Sequence, residues 1–117
     1  MNCNEEYNAL VKTTEKLHEL YYQQENADTQ FSNALGTAQN HLISSGLSRL
    51  VNASPAEIIN ALEERSEKDF VILQEAATIK SQLDAKVTAA EESYQYAFQR
   101  YEDCLKESTK EKEPSKN

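Results

Sequence analysis

The chain has 117 residues, 38% apolar and 27% charged, with only two glycines and two prolines. That length allows one domain at most, and so few turn-formers argue against a sheet protein, which leaves an all-α fold. The formal charge of −8 falls on both halves, as three Lys/Arg against six Asp/Glu in residues 1–51 and nine against fourteen in residues 52–117. Neither half therefore offers the dense cationic surface by which nucleic acid or an anionic membrane is held.

The N-terminus, Met1-Asn2-Cys3-Asn4-Glu5-Glu6, lacks the positive charge and apolar stretch of a signal peptide, and no run of about 18 apolar residues follows anywhere. A cytoplasmic protein is the expectation.

The first predicted element is a helix over about residues 4–44. Heptads read from Tyr7 place Tyr7, Thr14, Tyr21, Asp28, Leu35 and Leu42 at one seam position and Leu10, Leu17, Gln24, Phe31 and Ala38 at the other. The seam has a polar middle at Gln24 and Asp28, which weakens it locally and can fix register or partner. Gly46 is the expected stop.

Residues 45–54 read as a connector, with Leu47, Leu50 and Val51 at the spacing of one helical turn, suited to plugging the end of a hairpin. Ser54-Pro55-Ala56-Glu57 is a strong helix start: a capping hydroxyl, a proline at the first helical position and an acid completing the capping box.

A second helix is then predicted over about residues 55–108. Its seam runs through Ile59, Ser66, Leu73, Lys80, Val87, Tyr94 and Tyr101, and through Leu62, Asp69, Ala76, Leu83, Ala90, Ala97 and Cys104. Phe70, Ala77, Phe98 and Leu105 broaden the apolar stripe beyond what one neighbouring helix can cover. Residues 109–117 are charged and free of large apolar groups, and a disordered tail is expected there.

Folded back at about residue 50, the two helices form an antiparallel coiled-coil hairpin. Helix 2 is longer by about 20 Å at 1.5 Å per residue, leaving the aromatic stretch from Tyr94 to Leu105 in need of cover. Dimerisation into a larger bundle, or docking of another helical protein, is the expected remedy. The predicted interaction face comprises Leu10, Leu17, Phe31, Leu73, Leu83, Val87, Tyr94, Phe98, Tyr101 and Leu105. The same fold-back puts Cys3 opposite about residue 97, with Cys104 about 10 Å further along the helix, which argues against a bridge between them.

Chemistry-bearing motifs are sparse. Glu15-Lys16-Leu17-His18 has the Glu-x-x-His spacing of di-iron bundles, but a second copy is missing, since Ala38 stands three residues before His41. Neither cysteine has a nearby histidine, and no Gly-x-Ser-x-Gly elbow or glycine-rich phosphate loop occurs. No catalytic residue, metal or cofactor is expected. The tyrosines lack the interleaved basic residues of a single-strand nucleic-acid platform, Arg100 standing almost alone among acids.

Two resemblances bear on function. Phe98-Gln99-Arg100-Tyr101-Glu102 is similar to the aromatic-x-x-x-acid export signal of small helical-hairpin proteins of bacterial type VII secretion, although the Trp-x-Gly turn of that family is absent. More of the chain, about residues 15–112, resembles the first two helices of sorting-nexin BAR domains. The resemblance is carried by Gln30-Phe31, Leu47-Ser48-Arg49, Asp69-Phe70-Val71-Ile72-Leu73-Gln74-Glu75, the small and apolar series Leu83, Ala85, Val87, Ala89 and Ala90, and Phe98-Gln99-Arg100-Tyr101-Glu102-Asp103.

The BAR resemblance implies a non-enzymatic scaffold that dimerises along its helices and acts in membrane trafficking, peripheral to endosomal membranes. The chain departs from that family in having two long helices where a BAR protomer has three, in lacking a PX domain and in its acidic charge. Membrane contact is accordingly expected to be indirect or weak. The competing expectation is a bacterial hairpin protein secreted by, or serving as adaptor for, a secretion system.

Overall fold

The computed structural model describes residues 2–112, and among them no strand occurs. The elements are α1 (Asn4–Ser44), a 3-10 helix (Ser48–Asn52), α2 (Pro55–Arg65) and α3 (Glu67–Lys112).

The start of α1 follows from its first residues. Asn2 Oδ1 accepts from the Asn4 N–H at 2.9 Å, and Glu5 and Glu6 lie in the first turn, where negative charge meets the positive end of the helix dipole. The end follows from Gly46, whose φ of 108° is costly for any residue bearing a Cβ. There the Leu47 N–H reaches the Leu42 carbonyl at 3.1 Å and the Gly46 N–H reaches that of Ile43 at 3.0 Å, the paired bonds that close a helix on a left-handed glycine.

In the 3-10 segment Leu50 is buried while Val51 is 56% exposed, so only part of the expected apolar plug is covered. Gln39 Nε2 donates to the carbonyls of Leu50 at 2.7 Å and Val51 at 3.0 Å, holding this turn against α1. At the next boundary Ser54 Oγ accepts from the Glu57 N–H at 3.3 Å and Pro55 takes the first helical position, as the sequence predicts.

The second helix is not continuous. Ser66, with φ −151° and ψ 88°, leaves helical space and separates α2 from α3. Its hydroxyl accepts from the Asp69 N–H at 3.4 Å and donates to Asp69 Oδ2 at 3.1 Å. Ser66 and Asp69, read above as polar seam positions, are the cap of a new helix. Helix α3 continues to Lys112, so residues 109–112 of the expected tail are helical; residues 113–117 lie outside the described residues.

The chain divides into two compact units: residues 23–84, and residues 1–22 together with 85–117. The 23–84 unit holds the core of buried Ala38, Leu42, Leu50, Ile58, Leu62 and Leu73, with Phe31, Leu35 and Phe70 packed against it. Its largest fully buried side chains are Leu50, Ile58, Leu62 and Leu73. Contributions come from all four helical elements, which is why the short α2 matters: it closes the core over the turn.

Within this unit the α1 positions pair with α3 positions of falling number. His41 Nδ1 meets Asp69 Oδ2 at 2.9 Å, Lys80 Nζ meets Asp28 Oδ1 at 3.1 Å, and Gln24 Nε2 donates to Asp84 Oδ1 at 2.7 Å. The polar middle of the α1 seam is therefore answered by polar side chains of α3. Hydrogen bonding by Asp28 raises the Lys80 ammonium pKa first, and hydrogen bonding by Gln24 lowers that of Asp84 first.

Candidate interaction surfaces of the disulfide-bearing unit

The second unit joins the first half of α1 to the second half of α3. Cys3 and Cys104 form a disulfide, with Cα atoms 6.0 Å apart. This overturns the expectation of two unbridged thiols, and the reason is register. A fold-back at about residue 50 counts residues 55–65 as the start of the long helix. These residues belong to the turn as α2, so the pivot moves toward residue 54 and every partner on α3 shifts by several positions. Cys104 thereby replaces residue 97 opposite Cys3.

Neighbouring pairs keep that register. The Tyr7 and Tyr101 rings lie with centroids 5.6 Å apart, and Glu6 Oε1 stands 4.0 Å from Arg100 Nη2, at the outer limit of an ion pair. Oε2 of Glu6 is buried without a hydrogen-bond donor. Further along, partial burial, then the charge and hydrogen bonding of Glu91, push the Tyr21 phenol pKa up.

Burial here is thin. Among the described residues of this unit, the buried apolar ones are Leu17, Leu20, Val87, Ala97 and Cys104. Of the predicted interaction face, Leu17, Leu73 and Val87 are buried in the chain's own packing, while Leu10, Phe31, Leu83, Tyr94 and Tyr101 are half-buried. Phe98 and Leu105 remain exposed, each at 43%. Tyr7, Tyr21, Tyr22 and Tyr96 are also exposed, of which the heptad seam finds Tyr7 and Tyr21 but not Tyr22 or Tyr96.

Two sides of the helix pair differ in character. One carries Phe98 and Leu105, seven residues apart and so on one face of α3, with the Phe98 ring 6.1 Å from that of Tyr94. The other is a groove of about 590 Å³ lined by Glu5, Glu6, Ala9 and Thr13 of α1 and by Ala89, Glu92, Ser93, Tyr96, Ala97 and Arg100 of α3. A smaller hollow of about 220 Å³, lined by Lys12, Thr13, Lys16, Ala90 and Ser93, adjoins it. The groove exists because its floor is made of small side chains, Ala9 and Thr13 on one helix and Ala89, Ser93 and Ala97 on the other, each series four residues apart and so aligned along one helix face.

Glu15 and His18 are exposed on α1. Among the described residues no three His, Cys, Asp or Glu side chains gather as a metal site would require, and no helix is long and apolar enough to cross a membrane.

Among the described residues the architecture is that of an all-helical protein. Comparison with protein-family models, with curated proteins and with solved structures finds no match.

Proposed function

We propose that this protein is a non-enzymatic helical-hairpin interaction protein that works by associating with a second copy of itself. The observation that carries this reading is the mismatch between exposed and buried apolar surface in the disulfide-bearing unit. Two helices bury little between them there, and Tyr96 stands 67% exposed in the lining of a groove of about 590 Å³. Two paired helices leave their outer faces uncovered, and a second copy would cover this one. The falling order of α3 partners along α1 supports an antiparallel hairpin as the associating unit.

Analytical ultracentrifugation or light scattering at tens of micromolar tests the reading. A dimer or larger assembly is expected, and a clean monomer would remove it. The BAR-like role in trafficking is the narrower form of the same proposal. Pelleting with curved anionic vesicles checks it: weak binding is expected, and none at any curvature would eliminate the membrane role.

The disulfide favours a second reading, export. Bridges persist where thiols are oxidised, outside the cytosol in most organisms. Phe98 and Glu102, the aromatic and acidic residues of the export-like pattern, lie one turn apart on α3. Replacing both should abolish export from a bacterial secretion host; unchanged export would exclude this reading.

A further inference from the structure

We propose that the second copy packs on the small-residue groove, with a two-fold axis running along the helices so that α1 of each copy lies over α3 of the other. This rests on the reading of the protein as self-associating, and it adds the face, the direction and the contacts.

The argument starts from the floor. Rows of small side chains four residues apart allow two helices to approach closely, ridge into groove. From Ala89 to Arg100 the floor extends about 16 Å at 1.5 Å per residue, the length of about three turns of a docked helix. A closed two-fold dimer also needs a surface complementary to itself. The order of charge along the groove meets that demand.

The register fixed by Cys3–Cys104, Tyr7–Tyr101 and Glu6–Arg100 sets Arg100 level with the first turns of α1 and Glu92 level with about residue 16. Going along the groove, α1 is acidic at Glu5 and Glu6 and then basic at Lys12 and Lys16; α3 is basic at Arg100 and then acidic at Glu92. Laying α1 of one copy over α3 of the other at the same level brings Glu5 and Glu6 against Arg100 of the second copy, and Lys12 and Lys16 against its Glu92. Each helix then has antiparallel neighbours on both sides, the arrangement of an up-down four-helix bundle.

The same operation places Tyr96 of one copy, at 67% exposed the most exposed large apolar side chain among the described residues, over Ala9 and Thr13 of the other. A large knob thus meets a hole of small residues. Glu6, whose side chain is 19% exposed and whose Oε2 lacks a donor, faces a second guanidinium in the dimer.

The test is charge reversal followed by mixing, read by sedimentation equilibrium, with circular dichroism on each variant to confirm folding. The substituted positions are exposed on helices, so the fold is expected to survive. Lys12→Glu with Lys16→Glu, and separately Glu92→Lys, should each weaken the dimer at least tenfold. Mixing the two variants should restore it as a heterodimer, because the one acidic α1 then meets a lysine at position 92 and the other α1 keeps Lys12 and Lys16 against Glu92. Tyr96→Ala, which leaves the charges alone, should weaken the dimer without lowering the melting temperature of the monomer.

A wild-type monomer would sink both this inference and the self-association beneath it. A dimer indifferent to charge reversal, and dissociated instead by Phe98→Glu with Leu105→Glu, would overturn the groove alone and assign the aromatic side.

Discussion

Cys3 at the head of α1 is bonded to Cys104 near the end of α3 across 101 residues of sequence, and the bond lies in the unit that buries least. Chain entropy alone assigns a closed loop of about 100 residues a stabilisation of about 4–5 kcal/mol. The other unit has Leu50, Ile58, Leu62 and Leu73 to hold it.

Reduction, or Cys104→Ser, is therefore expected to lower global stability by about 2–5 kcal/mol. The loss should also be local. Hydrogen exchange should accelerate at amides of residues 4–22 and 85–108, while those between residues 38 and 73 keep their protection. Uniform acceleration across both groups would contradict the unequal division of the core.

Core truncations should separate along the same line. Leu73→Ala removes a side chain that is 1% exposed in the main cluster and should cost about 2–5 kcal/mol. The seam pattern ranks Leu83 beside it, yet Leu83 is only half-buried, and Leu83→Ala should cost visibly less. Chemical denaturation of the two variants gives the comparison, and equal losses would mean the burial pattern misplaces one of them.

Asp69 sets a pH dependence. A carboxylate only accepts, so Nδ1–H of His41 donates to it. That bond first, and the bond from Ser66 against the opposing effect of burial, hold its carboxyl pKa below the ordinary aspartate value. Folding thus favours the charged form. The stabilisation is present at neutral pH and is lost as pH falls below about 4. Wild type should lose more stability between pH 6 and pH 3 than Asp69→Asn does, measured as the shift in melting temperature. Parallel losses would show that the pair contributes nothing.

Ser66→Ala removes the hydroxyl that caps α3 and should cost about 0.5–2 kcal/mol. Thermal melts are sufficient to see it. A neutral or stabilising result would mean that α2 and α3 run on as one helix, as the heptad pattern alone suggests.

That ambiguity at Ser66 explains what was legible in the sequence. The bounds of α1 and the Ser54-Pro55 start were readable because each is marked by residues with one structural use: a glycine at positive φ, a proline at the first turn, a hydroxyl before an acid. Ser66 and Asp69 have two uses. As seam positions they look like tolerated polar residues in a long helix; as a Ser-x-x-Asp cap they begin a new one, and no glycine or proline decides between them.

The disulfide was lost through the same ambiguity, since moving eleven residues from helix to turn moves the pivot. The polar middle of the α1 seam was visible, but its partners, Lys80 and Asp84, were not, because pairing depends on that register. Gln24, a polar interruption by the seam pattern, is the donor to Asp84 in the fold. The groove was invisible for a different reason. Alanine, serine and threonine carry no strong seam signal, and a hollow is defined by what the side chains leave unfilled.

The division of the core also orders the events of folding. In the 23–84 unit Gln39 reaches Leu50 across 11 residues and His41 reaches Asp69 across 28. The Cys3–Cys104 closure spans 101. Short loops close at lower entropic cost and reward closure sooner, which favours the turn region as the place where folding starts. Meeting of the two cysteines is the costliest closure of the three. Cys3 is synthesised about a hundred residues before its partner, and during that interval it is a lone thiol, open to bridging the wrong chain. How quickly the turn region forms therefore sets how long the molecule is exposed to that error.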